Sequence, residues 1–359
     1  MFSAQLALSL HKNRIMLSKV ILQDNIDHFA KWLDKAENMV IVTHVSPDGD
    51  AIGSSLGLAH FLESQEKNVR VIVPNGFPDF LRWMNGAQHI LRYDKHPEIA
   101  NKLITEADVI CCVDFNNLKR IDAMGESVRS SSARKILIDH HLDPEDFCKI
   151  TISHPQISSA SELVFRLICR LGYFEDITTE CAECIYTGMM TDTGGFTYNS
   201  NNPEIYYIIS QLLTKGIDKD QIYRNVFNTY SEARLRLMGH ILTTMHVYPE
   251  FRSALITLTK EEQNKFNYMR GDAEGFVNMP LSMKGICFSV FLREDTEKNM
   301  IKVSLRSTGN FPCNQVASEF FGGGGHLNAS GGEVYGTMDE ALNLFKAALV
   351  KFQPLLLKK

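Results

Sequence analysis

Short apolar runs alternate with helical patterns along roughly the first 200 residues, and this alternation limits the fold more than any other feature of the chain. Strand-like runs lie at residues 39–43, 69–73, 108–113 and 135–139. Between them, apolar side chains recur every three to four residues, as they do on a helix with one buried face. Strands that alternate with helices predict an α/β fold whose doubly wound sheet is mainly parallel.

Carboxylates and imidazoles stand at the ends of these runs and of one later helical segment. The set comprises His44, Asp48, Asp50, Asp114, Asp139, His140, His141 and Asp192. The carboxyl ends of parallel strands share one edge of a sheet, so these side chains can converge although they are far apart in sequence. Ordinary alternatives exist for single members. His44 and Asp48 could cap the next helix, and Asp192 could face water at a helix end.

The mixture of oxygen and nitrogen donors predicts a metal site. Clustered carboxylates raise one another's pKa unless cations compensate, and carboxylate with imidazole suits Mn, with Mg as the alternative. No thiolate joins the set, which weakens a structural zinc interpretation. Two ions about 3.5 to 4 Å apart, bridged by a carboxylate and a hydroxide, would hold the attacking and leaving oxygens of a phosphoryl displacement. Gly49 lets Asp48 and Asp50 turn to different ions.

The chain changes character near residue 253, where short strand-like runs replace the long helical patterns. The strand-like runs lie at residues 254–258, 286–292 and 301–305, and a glycine-rich segment at 322–325 and an amphipathic helix from 339 follow. Helical patterns precede this region at residues 203–215, 219–228 and 231–245. We therefore predict a catalytic domain at residues 24–215, a helical linker at 216–245 and a smaller mixed-sheet α/β domain at 246–359.

Composition narrows the class of protein. A net charge of -5 over 359 residues argues against a broad nucleic-acid footprint, and so against long duplex nucleic acid as a partner. The eight cysteines lie mostly in apolar segments, which is typical of reduced core cysteine, and the pair Cys181 and Cys184 falls inside a predicted helix. No apolar run is long enough to cross a membrane, so a cytoplasmic protein is expected. Translation could start at Met1 or Met16.

The motifs together resemble those of a known family. His44-Val-Ser-Pro-Asp48-Gly-Asp50, Asp114, Asp139-His140-His141 and Asp192 resemble the four motifs of the DHH phosphoesterase superfamily. In the last third of the chain, Ser304-Leu-Arg306-Ser307 and the segment 322–331 resemble the DHH-associated domain of its nanoRNase and RecJ-like branch. Each motif is weak alone, but their joint occurrence in this order, from about residue 24 to the C-terminus, is specific.

The resemblance implies a role for each motif residue. One Mn ion would be held by His44, Asp48 and Asp114, and the other by Asp50, Asp114, His140 and Asp192, so that Asp114 bridges both. Among the catalytic residues Asp114, Asp139 and His141, Asp139 would stand behind His140 and orient this ligand imidazole, and His141 would face the phosphate. The residues that would bind a substrate phosphate are Ser304, Arg306, Ser307, Gly323, Gly324, Gly325 and His326.

The resemblance also implies a reaction. We expect a manganese-dependent phosphoesterase that hydrolyses short RNA oligonucleotides, 3'-phosphoadenosine 5'-phosphate, or both, by in-line attack of a bridging hydroxide. A cyclic di-AMP or linear dinucleotide phosphodiesterase is the alternative within the same class, and a polyphosphate or pyrophosphate hydrolase is less favoured. A catalytically silent RNA-binding protein is the alternative from another class. The partners are then short RNA or a phosphorylated nucleotide, and a homodimer is compatible with the sequence.

Overall fold

The computed structural model of the protein describes residues 17–269 and 271–358. It contains two compact units, which divide between Thr229 and Tyr230. This division falls within residues 216–245, the segment for which the sequence predicts a helical linker. Met1 and Met16, the two candidate start residues, lie outside the described residues.

The first unit contains a six-stranded sheet in the order β3-β2-β1-β4-β5-β6, in which every neighbouring pair is parallel. Its strands are β1 (Asn38–Val42), β2 (Asn68–Val73), β3 (Leu91–Arg92), β4 (Val109–Val113), β5 (Arg134–Asp139) and β6 (Ile150–Ser153). The predicted parallel sheet is confirmed. The outermost strands β3 and β6 were not predicted, because both are short and partly exposed and so lack a continuous apolar run.

Helices cover both faces of this sheet, and apolar side chains fill the space on either side. They are α1 (Gln23–Lys35), α2 (Gly49–Ser64), α3 (Pro97–Glu106), α4 (Met124–Ser130), α5 (Ala160–Leu171), α6 (Thr179–Asp192), α7 (Pro203–Leu213) and α8 (Lys219–Phe227). The predicted starts of α5 and α6 are confirmed, because Ser159 Oγ accepts from the Glu162 amide and Thr178 Oγ1 from the Cys181 amide. Such caps satisfy amide groups that have no partner within the helix.

The second unit contains a mixed six-stranded sheet in the order β11-β12-β10-β9-β8-β7, where β8 and β9 are parallel and the other pairs antiparallel. Its strands are β7 (His246–Tyr248), β8 (Ser253–Leu258), β9 (Phe288–Glu294), β10 (Ile301–Ser307), β11 (Gly324–Gly325) and β12 (Ala329–Val334). Its helices are α9 (Glu232–Thr244), α10 (Lys260–Lys265), α11 (Cys313–Phe320) and α12 (Met338–Leu356). The predicted mixed-sheet unit is thereby confirmed.

Strand β10 shows how this sheet separates its two faces. Ile301, Val303 and Leu305 are buried in an apolar cluster, whereas the alternating side chains Ser304 and Arg306 are only partly buried. Among the described helices of either unit, none combines the length with the apolar composition that a membrane crossing requires.

Candidate functional site

The first predicted site residues lie where β1 passes into α2. Asp48 caps α2, and its Oδ1 accepts from the amides of Asp50 and Ala51 at 3.0 Å each. Its other oxygen lies 3.9 Å from His44 Nε2. The capping interpretation of Asp48 is therefore correct, and it does not exclude a second role, because one carboxylate oxygen caps the helix while the other faces the imidazole.

Asp114 stands between two imidazoles at the end of β4. Its Oδ2 lies 3.3 Å from His44 Nε2, and its Oδ1 lies 3.4 Å from His140 Nε2. Both separations exceed the usual hydrogen-bond length of about 2.9 Å. The residue is 2% exposed and has a φ of +63°, although its amide continues the sheet by donating to the Ile138 carbonyl at 3.0 Å. A left-handed residue other than glycine is strained, and such strain often occurs at functional sites.

The structure brings the six predicted metal ligands into overlapping groups. In each group the ligand atoms lie within 4.8 Å of one another, and the groups are His44 with Asp48 and Asp114, Asp50 with His140 and Asp192, and Asp114 with His140 and His141. Asp114 belongs to two groups, as a bridging ligand would. His141 also belongs to one of these groups, although the resemblance predicted that it would face the phosphate and not the metal.

Backbone amides hold Asp50 in place. Its Oδ2 accepts from the Ala160 amide at 2.6 Å and its Oδ1 from the Ser161 amide at 2.9 Å, both at the start of α5. A helix N-terminus favours a negative charge, because its amides are unsatisfied and the helix dipole is positive there. The N-terminus of α5 is therefore part of the site although it carries none of the predicted site residues.

Close packing of α2 against α6 brings Asp50 and Asp192 together, and glycines permit it. A Cβ on Gly53 would lie 2.6 Å from the Cys184 carbonyl oxygen, and one on Gly188 would lie 1.9 Å from Ser161 Oγ and 2.9 Å from Asp50 Oδ1. Neither Gly53 nor Gly188 was predicted from the sequence to take part in the site. The available signal was a glycine at every fourth residue of α2, at positions 49, 53 and 57, which puts all three on one helix face.

The contact expected for Asp139 is different in the structure. Its Oδ1 lies 2.7 Å from His141 Nδ1 and its Oδ2 accepts from the His141 amide, whereas His140 Nδ1 lies 3.3 Å from the Ile157 carbonyl oxygen. The prediction that Asp139 stands behind His140 is wrong because side chains alternate along an extended chain. Asp139 and His141 therefore point to one side and His140 to the other.

Burial and mutual charge shift the pKa values of this cluster. Burial, together with the charges of Asp114 and Asp192, raises the pKa of Asp50 well above its usual value, and burial raises that of Asp192 to about 7. Burial alone would raise the pKa of Asp114, but the imidazoles of His140 and His44 hold it well below its usual range. Burial lowers the pKa of His140, but Asp114 and Asp192 outweigh it and raise this pKa. The raised pKa values show that the carboxylates repel one another when they are ionised. A divalent cation would relieve the same repulsion, so the donor set fits metal ions.

In the second unit, β10 separates the residues predicted to bind phosphate. Ser304 and Arg306 share the partly buried face, and Arg306 donates to the Leu305 carbonyl at 3.0 Å. Ser307 is buried on the opposite face, where its hydroxyl donates to the Phe311 carbonyl at 2.7 Å and accepts from Asn328 at 2.8 Å. This placement argues against substrate binding by Ser307 and leaves Ser304 as the neighbour of Arg306.

The glycine-rich segment packs against β12. A Cβ on Gly323 would lie 1.9 Å from the Gly331 carbonyl oxygen, and one on Gly325 would lie 2.6 Å from the Ala329 carbonyl oxygen. Gly324 between them meets nothing within 4 Å, and the His326 amide donates to Ala329 at 2.8 Å. Gly323 and Gly325 are therefore required by close packing, whereas Gly324 presents its backbone to the surface.

A cavity of about 440 Å³ opens beside this segment within the second unit. It is lined by Phe291, Arg293, Lys302, Val303, Ser304, Gly322, Gly323, Gly331, Gly332 and Glu333. Its volume lies in the range of small-molecule sites, which is roughly 300 to 1,000 Å³. Two cationic side chains and exposed glycine backbone suit a phosphorylated ligand.

A buried cluster of carboxylates and imidazoles at the carboxyl edge of a parallel sheet is typical of metal-dependent hydrolases. The particular family follows from comparison with known proteins. The DHH family, N-terminal domain matches residues 38–189, and the DHHA1 domain matches residues 253–351. The chain belongs to the DHH family of phosphoesterases, whose members depend on metal ions.

Relatives within this family are named for several activities. The "Bifunctional oligoribonuclease and PAP phosphatase NrnA" of Thermus thermophilus is 31% identical over 302 residues, which cover 84% of this chain and 86% of that protein. The "Cyclic-di-AMP phosphodiesterase PdeA" of Listeria monocytogenes is 26% identical over 309 residues, which cover 82% of this chain and 44% of that protein. The chain is thus a hydrolase that acts on phosphate esters.

A solved structure matches nearly all of the chain closely. An exopolyphosphatase-related protein from Bacteroides fragilis is 71% identical to this chain and superimposes with a TM-score of 0.93. The match covers 95% of this chain and 100% of that protein.

Proposed function

We propose that this chain is a manganese-dependent hydrolase of short RNA oligonucleotides and of 3'-phosphoadenosine 5'-phosphate. The observation that carries the proposal is the cluster around Asp114, in which carboxylates and imidazoles form overlapping groups of metal-ligand spacing. The NrnA relative, named for both activities and aligned over most of both chains, supports this substrate class.

The donor set determines how metal ions would be held. One ion would bind His44, Asp48 and Asp114, and a second would bind Asp50, Asp114, His140 and Asp192. When bound, the ions supply charge stabilisation at phosphorus and an activated water at neutral pH. Two imidazoles among these ligands, those of His44 and His140, favour Mn over Mg, because Mg prefers oxygen ligands alone.

His141 would act on the substrate from beside the ligands. Its short contact with Asp139 Oδ1 indicates that Nδ1 carries a proton and that the ring orientation is fixed. Any contact of this ring with a phosphate oxygen would therefore use Nε2. The Asp139 contact would hold the ring so that Nε2 faces negative charge developing on phosphate.

The second unit would contribute residues that bind substrate. Arg306 and Ser304 would donate to a phosphate group, together with His326 and the backbone at Gly324. Ser304 also lines the cavity of about 440 Å³, whose volume suits a small ligand such as one nucleotide. We accordingly assign catalysis to residues 24–215 and substrate binding to residues 246–359, and the helical segment 216–245 between them is divided between the two units.

Cyclic di-AMP hydrolysis is the second candidate, and the PdeA relative favours it. The test is one panel in which purified protein with Mn²⁺ is given 3'-phosphoadenosine 5'-phosphate, RNA of two to about ten nucleotides, cyclic di-AMP and polyphosphate. Product chromatography gives kcat/KM for each substrate. We expect the highest values for the shortest RNAs and for 3'-phosphoadenosine 5'-phosphate.

Other outcomes would replace this proposal. A kcat/KM for cyclic di-AMP that exceeds those for short RNA and for 3'-phosphoadenosine 5'-phosphate would favour the second candidate. A kcat/KM for polyphosphate that exceeds all the others would exclude both nucleotide proposals. RNA binding without hydrolysis of any substrate would leave a silent RNA-binding protein. Light scattering on the same sample would measure whether the protein is a homodimer.

A further inference from the structure

A buried ion pair lies next to the candidate metal site but contributes no metal ligand. Glu162 and Arg166 stand one turn apart on α5, and they are 0% and 1% exposed. Arg166 donates to Glu162 Oε1 through Nε at 2.9 Å and through Nη2 at 2.7 Å. Burying two charges is costly, so a buried pair is weak evidence for stability and calls for another explanation.

The second oxygen of Glu162 fixes the turn before α5. Its Oε2 accepts from the Ser158 amide at 3.2 Å and from Ser158 Oγ at 2.6 Å. The Glu162 amide in turn donates to Ser159 Oγ at 3.0 Å. Three hydrogen bonds therefore fix the backbone of residues 157–161, which we call the support turn.

Backbone groups of the support turn contact two candidate metal ligands. The Ala160 and Ser161 amides donate to Asp50, and the Ile157 carbonyl lies 3.3 Å from His140 Nδ1. The facing atoms of these ligands, His140 Nε2 and Asp50 Oδ2, are 3.9 Å apart. One short segment therefore sets the position of a carboxylate and an imidazole that would bind the same ion.

Arg166 is itself fixed from outside α5. Its Nη2 donates to Glu204 Oε2 at 2.7 Å, and its Nη1 donates to the Ser18 carbonyl at 3.3 Å. Glu204 lies in the first turn of α7 and accepts from the Ser18 amide and hydroxyl as well. The guanidinium thus connects the support turn to α7 and to the segment before α1.

We propose that Glu162 and Arg166 are positioning residues that set the metal affinity of the site through the support turn. This inference rests on the proposed function only in that the cluster binds a divalent cation. Groups that orient metal ligands typically change metal affinity by about 10- to 100-fold when they are removed. The ion pair should therefore control Mn²⁺ binding, and not only the stability of α5.

The experiment is calorimetric titration of the full chain with MnCl₂, with folding of every variant checked by circular dichroism. Glu162→Gln combined with Arg166→Met removes both charges of the buried pair, and Glu204, which is partly exposed, still accepts from Ser18. We expect this double variant to weaken Mn²⁺ binding about 10-fold or more. Arg166→Lys keeps the charge but loses the planar donor pair, and a smaller weakening of several-fold is expected. If the double variant does not fold, the Mn²⁺ affinity of Arg166→Lys alone tests the proposal.

Arg170→Met is the matched control. Arg170 lies one turn further along α5 and donates to the Ile21 carbonyl at 2.7 Å and to Gln23 at 2.8 Å, and no described contact joins it to the support turn. We expect a lower melting temperature and an unchanged Mn²⁺ affinity. Equal weakening in Arg170→Met and the Arg166 variants, or unchanged affinity in folded Arg166 variants, would overturn the proposal. Wild-type protein that binds Mn²⁺ but hydrolyses no substrate would contradict the proposed function alone.

Discussion

The two units build their candidate sites in opposite ways. In the first unit, Asp50, Asp114 and His140 are 1%, 2% and 6% exposed, and they lie at strand and helix ends fixed by backbone contacts. In the second unit, Arg306 is partly buried on a strand face and Gly324 is exposed. Buried charges need one another or a cation, whereas groups at the surface are solvated until a ligand arrives.

This difference predicts which properties of the protein a substitution in each unit should change. If the proposed roles are correct, a substitution in the first cluster should alter charge balance, metal binding and stability together, because the same groups would carry all three. A substitution on the β10 face should alter substrate affinity with little effect on stability, because the residues there support few other groups. Substitutions and metal removal can test this separation, beginning with the largest expected effect.

Asp114→Asn should nearly abolish turnover. The substitution keeps the shape of the side chain but removes the charge that faces His44 and His140. We expect kcat to fall by about 10³-fold or more, since a bridging ligand supports both proposed ions. Steady-state kinetics at saturating Mn²⁺ measures the loss. Asp34→Asn, an exposed carboxylate on α1, should have no effect, and a near-wild-type rate for Asp114→Asn would contradict the two-metal proposal.

Metal removal should make the stability of the protein depend on pH in a definite direction. The pKa of Asp192 is raised to about 7, and those of Asp50, His44 and His140 are also raised. Groups with raised pKa bind protons more tightly in the folded state, so their contribution is lost as pH rises through the folded pKa. The lowered pKa of Asp114 acts only in the acidic range.

We therefore expect the free energy of unfolding in EDTA to fall by about 2 kcal/mol between roughly pH 5 and pH 8, first through Asp192, whose raised pKa is about 7, and then through the histidines. Saturating Mn²⁺ should reverse the trend, because metal binding requires deprotonated ligands. Urea unfolding at several pH values, with and without the metal, measures both slopes. A metal-free protein that becomes more stable across this range would show that the cluster does not hold protons in place of cations.

Gly188→Ala and Gly239→Ala should have opposite effects on stability, because the two helix glycines differ in how closely other groups pack against them. A Cβ at this position has no room between Ser161 and Asp50, so we expect a loss of about 1 to 3 kcal/mol in unfolding free energy and weaker Mn²⁺ binding. Gly239 is also a helix glycine, but a Cβ there meets nothing within 4 Å. Gly239→Ala should stabilise the protein by about 0.4 to 1 kcal/mol. Equal effects of the two substitutions in thermal denaturation would contradict the packing argument.

The strand ends were predictable because the signals are local. An apolar run that stops at a polar residue marks a strand and its end, so the approximate positions of β1, β4 and β5, and the polar groups that follow them, could be read directly. The same local argument located α5 and α6 from Ser159 and Thr178. The position of the glycine-rich β12 had no such signal, because it lacks apolar alternation.

Contacts across the fold could not be predicted in this way. Nothing near Asp50 in the sequence indicates that the amides of Ala160 and Ser161 bind it, since 110 positions separate Asp50 from Ala160. The Asp139 contact was predicted on the wrong imidazole although alternation along a strand was enough to identify His141. The same alternation places Ser304 and Ser307 on opposite faces of β10 and was also readable from the sequence.

Arg306→Ala should have the smallest effect on turnover and stability, and it should change substrate affinity instead. We expect KM for 3'-phosphoadenosine 5'-phosphate to rise about 10-fold with kcat nearly unchanged, because a phosphate contact made equally in ground and transition states is uniform binding. The melting temperature should barely move, since the described contact of this guanidinium is with the neighbouring Leu305 carbonyl. Lys346→Ala, an exposed cation on α12, controls for loss of charge alone.

Ser307→Ala provides the decisive contrast on the same strand. Its buried hydroxyl bonds Phe311 and Asn328, so its loss should lower the unfolding free energy by about 1 to 3 kcal/mol and leave KM unchanged. Arg306 and Ser307 would then separate binding from stability across one strand, as the two units separate them across the chain. A KM effect in Ser307→Ala, or a fall in kcat alone in Arg306→Ala, would show that the faces of β10 do not divide these roles.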